Sequence, residues 1–427
     1  MVNLSLKFIN HGFLPNKNIL HFYKLYCFTI NTVFMNRLQN IKTPFFLRLH
    51  THRIYLFFVL VLMCFLQSSN TVSNPSEKVH KVAVVHPAID KKNPIVCYLV
   101  ERQKANGNKE FYLDVDSVNC GENVCKVVTV RMFWDEIGRY THYELQDGEG
   151  LEKKEGAPFT SEDYKKLEWV LQNKNSELAH VFKDNLVTTD FIEHGAVDVD
   201  AVSGATSTVS PSETVEGAVW TCYTLWHWAN GEIESQIKNI TRKQFSEDDL
   251  IAEFLKNKDS DYKKFAIESF LFLGLKDTAT VTEVVQQAVF SEYAVFKRAM
   301  DYIETIPAKH YYASVTYLFA KGDYKKRVAC LNSVAKTNKG ENTAYYNQLS
   351  KQIATFSYQE VEMFLSNLKQ HQFSSDLLIE QLVNLLEADN FLIARRAYWF
   401  LLDEEENLHA KQKKKLKKFK KQYKDRL

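Results

Sequence analysis

With 427 residues the chain has room for two or three domains, and a hydrophobic content of 45% is enough to build real cores. A formal charge of +2 excludes the overall basic bias of a nucleic-acid binder, so the charge that carries information is local. No G-x-G-x-x-G or G-x-x-x-x-G-K-S/T pattern follows a strand, and no Ser-His-Asp order, carboxylate pair or metal-ligand cluster stands out, which gives no support to a Rossmann or P-loop site, a hydrolase or a metal centre.

The first acidic residue is Glu77, and the sequence before it is of a different kind. Ile54 to Leu66 is an unbroken apolar run of 13 residues preceded by Arg48, His50, His52 and Arg53 and followed by Gln67-Ser68-Ser69-Asn70. That length is short for a membrane span and suits the apolar region of a secretory signal, with cleavage near Ser68 or Ser69; an uncleaved anchor is the competing reading. Residues 1–68 are therefore read as a signal segment whose true start is expected at Met35, which gives it a basic lead of Arg37, Lys42, Arg48 and Arg53. An exported protein follows, periplasmic or on the outer face of the inner membrane.

Residues 69–92 are polar, with Pro75 and Pro87, and read as a linker. A first domain is expected over 93–233. Its strand-like runs are Ile95–Val100, Phe111–Val118, Val124–Trp134 and Tyr140–Leu145, separated by turn residues such as Asn106-Gly107-Asn108 and Ile137-Gly138. An antiparallel meander is the economical arrangement. Thr160 with Asp163 makes a capping box for a helix whose stripe is Tyr164, Leu167, Val170 and Leu171. Strands first and helices later indicate an α+β domain, an antiparallel sheet with packed helices.

The most informative stretch is Asp200-Ala201-Val202-Ser203-Gly204-Ala205-Thr206-Ser207-Thr208. Ser210 as N-cap, Pro211 at the first helical position and Glu213 three residues after the cap predict a helix from Pro211 to Ala229, ended by Asn230-Gly231. A hydroxyl-rich loop feeding a helix N-terminus is a seat for a phosphate-sized anion. The predicted helix sets Trp220, Tyr223 and His227 on one face, which suits stacking on a planar ring or packing against the sheet.

These nine residues resemble the flavinylation motif of the FMN-binding domain family, found in one subunit of the sodium-pumping NADH:quinone reductase and in its Rnf-type relatives. The family pattern runs acid, small or glycine, aliphatic, Ser/Thr, Gly, Ala, Thr/Ser, any, Thr/Ser, and each position is met. The resemblance implies FMN held covalently through a phosphoester to Thr208, with Ser203, Gly204, Ala205 and Thr206 wrapping the phosphate and Asp200 shaping the loop. It also implies an electron carrier with no catalytic residues of its own, a flavin transferase for its maturation, and a redox partner protein or membrane electron-transport complex. The alternative is a non-redox scaffold whose FMN-like domain is vacant.

Beyond the signal segment lie Cys97, Cys120, Cys125, Cys222 and Cys330. In an exported protein Cys120 and Cys125 read as a structural disulfide across a tight loop, with Cys97 able to pair with either instead.

From residue 245 to 427 Gly and Pro almost vanish and amphipathic helices succeed one another. Similar starts at Asp261, Glu292 and Asp323 lie 31 residues apart, and Asp389 lies 66 further on. A period near 31 with two helices per unit predicts an all-α, solenoid-like repeat domain of the HEAT-like kind, with a long surface suited to a protein partner. Lys411 to Leu427 holds nine Lys, one Arg and one Asp; Leu408, Leu416, Phe419 and Tyr423 at helical spacing make it a basic cap that closes the last repeat, with contact of its outer face to anionic lipid as the alternative role.

Overall fold

The computed structural model describes residues 77–104, 107–118, 126–182, 186, 209–337, 339–340 and 342–427, all within one compact unit, Pro75–Leu427. A five-stranded antiparallel sheet comes first, in the order β1 (Lys78–His86), β2 (Asp90–Gln103), β3 (Lys109–Asp116), β4 (Thr129–Asp135) and β5 (Tyr140–Leu145). Helices α1 (Ser161–Gln172), α2 (Val219–Asn230) and α3 (Glu232–Gln244) pack on it. An all-α region follows, so the α+β and helical-repeat architecture expected of the sequence is present.

Residues 78–92 are not linker. Val82, Val84 and His86 point inward while Lys81 and Ala83 face out, which is the period of two of a half-buried strand. The polar composition of this stretch hides that alternation. The pairing of β1 with β2 shifts between Val84 and His86, and the irregularity gives exposed Pro94 a place in β2 without a missing ladder donor.

Inward-facing Phe111, Leu113 and Val115 of β3 and Val130, Met132 and Trp134 of β4 form one core with Leu167, Val170 and Leu171 of α1 and with α2. Trp134 is fully buried and its Nε1 donates to the Ala229 carbonyl at 2.9 Å, tying the centre of the sheet to the end of α2. The Thr160–Asp163 capping box starts α1 as the sequence predicts. Between α2 and α3 the chain turns at Gly231, where a Cβ would sit 2.1 Å from the His227 carbonyl oxygen. Gly231 is therefore needed for close backbone approach. It is not a left-handed terminator, since its φ is −89°.

The helical region begins with a short α-helical turn, Glu247–Asp249, that runs into a π-helical turn, Leu250–Leu255. Two layers of helices follow. The first holds α4 (Ser260–Leu273), α6 (Tyr293–Ile303), α8 (Tyr324–Lys336), α10 (Tyr358–Gln370) and α12 (Phe391–Asp403). The second holds α5 (Thr278–Phe290), α7 (Ala308–Lys321), α9 (Thr343–Ser350), α11 (Asp376–Leu385) and α13 (Ala410–Gln422). Neighbours within each layer touch in chain order. Asp259, Asp323, Ser357 and Asn390 cap the N-termini of α4, α8, α10 and α12 with side-chain oxygens, so of the recurring starts Asp323 and Asp389-Asn390 hold the cap, whereas Asp261 lies just inside α4 and Glu292 precedes α6 without a side-chain cap. The unit beginning at Ser357 fills the gap between the starts at Asp323 and Asp389. In α13, Leu416 and Phe419 are buried and Tyr423 packs on Phe391 and Phe419, so the basic helix does close the array.

The sheet core and the helical core are separate apolar clusters. Ile137, in the turn between β4 and β5, belongs to the helical one.

Candidate functional site

Asp200, Ser203, Gly204, Ala205, Thr206 and Thr208 lie outside the described residues, as do Cys120, Cys125 and the apolar run 54–66. The chain is described again from Val209. Ser210, two residues after Thr208, donates its backbone N–H to Glu177 at 3.0 Å, and the Pro211 carbonyl accepts from Lys166 Nζ at 2.6 Å. These two bonds fix the chain at Ser210 and Pro211 against the 3-10 turn Glu177–Ala179 and α1.

The helix expected from Pro211 is not there. Pro211–Glu213 makes a single 3-10 turn, Thr214 is extended, and α2 begins only at Val219 with no side-chain cap. The capping box fails because its two members bond elsewhere: Ser210 Oγ accepts from the Ser212 N–H at 3.4 Å, and the Glu213 carboxylate accepts from Asn173 Nδ2 at 3.3 Å. A helix dipole directly behind the motif is therefore no part of the site.

The aromatic residues of α2 divide by role. Trp226 Nε1 donates to the Asn173 carbonyl at 2.9 Å, and Trp228 lies against His86 with ring centroids 4.4 Å apart; both cement α2 in place. Tyr223 and His227, one helical turn apart with rings 4.4 Å from centroid to centroid, instead line a cavity of about 410 Å³. Val85 and Pro87 at the end of β1, Lys91 at the start of β2, and Ala179 to Phe182 complete its wall. Its volume falls in the range of small-molecule sites, about 300–1,000 Å³, and the wall is mostly apolar with a few polar groups, as such sites are. Sequence reasoning placed Tyr223 and His227 on one face but missed the opposite wall, because Val85, Pro87 and Lys91 fell in the supposed linker.

The polar groups of the wall are fixed. Tyr223 donates its hydroxyl to the Val181 carbonyl at 3.1 Å. His227 Nε2 is buried and has no hydrogen-bond partner. Burial pushes the His227 pKa down to about 4, with a hydrogen bond to the Leu178 backbone pulling the other way. At neutral pH the ring is then neutral.

The described thiols are not redox chemistry in waiting. Cys97, Cys222 and Cys330 are free and buried, so Cys97 joins no disulfide, and burial pushes the Cys222 and Cys330 thiols up to about 12. Among the described residues no group of His, Cys, Asp and Glu could hold a metal ion, and no helix is long and apolar enough to cross a membrane.

Comparison of the chain with family models, curated proteins and solved structures gives no match. The likeness to FMN-binding domains therefore rests on the nine residues 200–208.

Proposed function

We propose that the protein is an exported flavoprotein, with FMN linked by a phosphoester to Thr208, that carries electrons on the outer side of the inner membrane. The observation that supports this reading is the nine-residue pattern Asp200–Thr208, met at each position.

FMN, when bound, supplies one- and two-electron chemistry. The chain's own contribution is to hold and shield. Thr208 offers the hydroxyl for attachment, Ser203, Gly204, Ala205 and Thr206 wrap the phosphate, and Asp200 shapes the loop. Val85, Pro87, Tyr223 and His227 line the cavity that would shield the ring from water. A redox partner protein or membrane complex would take or give the electrons, and a flavin transferase would load the cofactor.

The test is the intact mass of the exported protein co-expressed with a flavin transferase, beside a Thr208→Ala control. A gain of one FMN less one water in the first sample alone is the expected result. No gain in either, with no flavin released on denaturation, overturns the reading.

One observation favours a second reading, a scaffold that works through its helical array: Phe290, the last residue of α5, is 90% exposed, and Phe272 and Tyr293 are also exposed. Exposed aromatics along a repeat surface suit a protein partner.

A further inference from the structure

Helix α13, which closes the array, carries a second face that the fold does not use. Leu416 and Phe419 are buried, and Tyr423, one turn on, packs on Phe391 and Phe419. Lys414, Lys417, Lys418 and Lys421 hold the same three- and four-residue spacing on the opposite side and are exposed. Lys411, Lys420 and Lys424 are exposed beside them. Among the described residues the one ion pair of this helix is Lys415 with Glu387, at 3.2 Å. Elsewhere in the array long basic side chains are compensated: Lys256 meets Glu283, Arg298 meets Glu268, Arg327 meets Glu360 and Arg396 meets Glu362. Like charges three and four residues apart repel one another along a helix. Closing the last repeat needs the apolar stripe but not this uncompensated charge.

The make-up of the face narrows its partner. It presents no apolar side chain for insertion, and the one arginine of the segment, Arg426, lies over the ring of Phe391 at 3.8 Å from its centroid. Recognition of a fixed carboxylate, phosphopeptide or base edge favours the planar fork of arginine, whereas lysine is a hydrated point charge on a flexible stem. Lysines alone, set along a helix of 13 residues, about 20 Å, match a broad and mobile field of phosphates. We propose that the exposed face of α13 docks the protein on an anionic lipid surface as a peripheral electrostatic contact. Each lysine held near such a surface strengthens binding about fivefold, and the effect is screened by salt. The docking rests on α13 alone and is independent of the flavin reading.

The experiment sediments the full chain with vesicles of phosphatidylcholine, pure or with about 30% phosphatidylglycerol, at salt of about 0.1 M and about 0.5 M. The readout is the preference for anionic over neutral vesicles. Ile54–Leu66, an apolar run, would bind both kinds alike, so it does not enter that ratio. The wild-type chain is expected to prefer the anionic vesicles by about a hundredfold or more at the lower salt and to lose most of the preference at the higher. A variant combining Lys414→Gln, Lys417→Gln, Lys418→Gln and Lys421→Gln is expected to lose about a hundredfold of it. These side chains are exposed, so the variant's urea midpoint is expected not to fall.

A preference within about twofold of wild type in that variant would overturn the proposal. So would a wild-type chain without anionic preference; if it bound soluble polyglutamate instead, the face would belong to an acidic protein partner. Neither result bears on the mass of the protein, which tests the attachment of FMN at Thr208 separately.

Discussion

Arg139, in the turn between β4 and β5, places Nη1 2.6 Å from Oδ2 of Asp259, the residue whose other carboxylate oxygen caps α4. The same guanidinium is bonded through Nε to Asp135 at 2.7 Å and lies over the ring of Tyr262, 5.2 Å from its centroid. One side chain thus joins the rim of the sheet to the first helix of the array, next to Ile137, which inserts into the helical core. The sheet and the array each have their own core, and this joint is where they meet.

The Arg139–Asp259 pair is half-exposed on both sides, so its worth is modest. A double-mutant cycle with Arg139→Gln and Asp259→Asn is expected to give a coupling of about 1 kcal/mol in urea unfolding. Salt at about 1 M is expected to reduce it, since the Debye length there is about 3 Å. A coupling of zero at low salt would mean that the joint is held by its other contacts, among them Ile137, Tyr262 and Arg242 over Phe265 and Phe272.

Gly138, the next residue along that turn, has φ +80°, and a Cβ built on it would lie 2.7 Å from the carbonyl oxygen of Glu234 in α3. Backbone cannot yield as a flexible side chain does. Gly138→Ala is expected to cost more than about 2 kcal/mol, the sum of left-handed strain and the clash. Gly274→Ala is the control: its φ is +70° and nothing lies within 4 Å of its Cβ position. Its expected cost is about 1 kcal/mol. Equal losses in the two variants would show that the contact with Glu234 is not tight in solution.

Lys326 shows how consecutive repeats are locked. It is 7% exposed, and its ammonium donates to the carbonyls of Val289 at 2.7 Å and Ser291 at 2.8 Å, at the end of α5, from its place on α8. A cation on orphan carbonyls at a helix C-terminus satisfies both their hydrogen bonding and the dipole. Lys326→Met keeps the stem and removes the donors, and is expected to cost about 2 kcal/mol, read as a lowered urea midpoint at unchanged slope. A loss under about 0.5 kcal/mol, the size of an ordinary surface substitution, would mean that water replaces the ammonium.

How much of this is legible in the sequence depends on how far the deciding partner lies along the chain. Helix starts in the array are readable because Asp259, Asp323 and Asn390 cap through their own neighbours, within two or three residues. The Thr160 box is readable for the same reason. The helix expected at Pro211 fails because Glu213, at the right spacing for a box, meets Asn173 forty residues away instead. Strand β1 escapes notice because its buried members include His86, whose Nε2 is set against the Thr224 carbonyl at 3.1 Å, a partner no local pattern reveals. The cavity is half legible: periodicity sets Tyr223 with His227, but the facing wall comes from the β1 end and from Ala179–Phe182.

His227 gives the sharpest pH prediction. Its pKa is about 4 in the folded chain and about 6.5 in the unfolded one, so between these values the unfolded state binds the extra proton. Stability from the neutral ring is fully present above about pH 6.5 and is lost as pH falls through the window toward 4. The gap between these two values corresponds to about 3 kcal/mol at the acid end, an upper figure for a partly buried ring. The groups around it are Tyr223 and Trp226 on α2, His86 from β1 at a ring-centroid distance of 6.1 Å, and Lys91 and His180 across the cavity. Comparing wild type with His227→Phe at each pH cancels the contributions of these neighbours. Urea unfolding between about pH 4.5 and 7.5 is expected to show the stability difference, wild type minus variant, shrinking steadily as pH falls. A difference constant across that range would show that His227 titrates alike in both states and that burial does not depress its pKa.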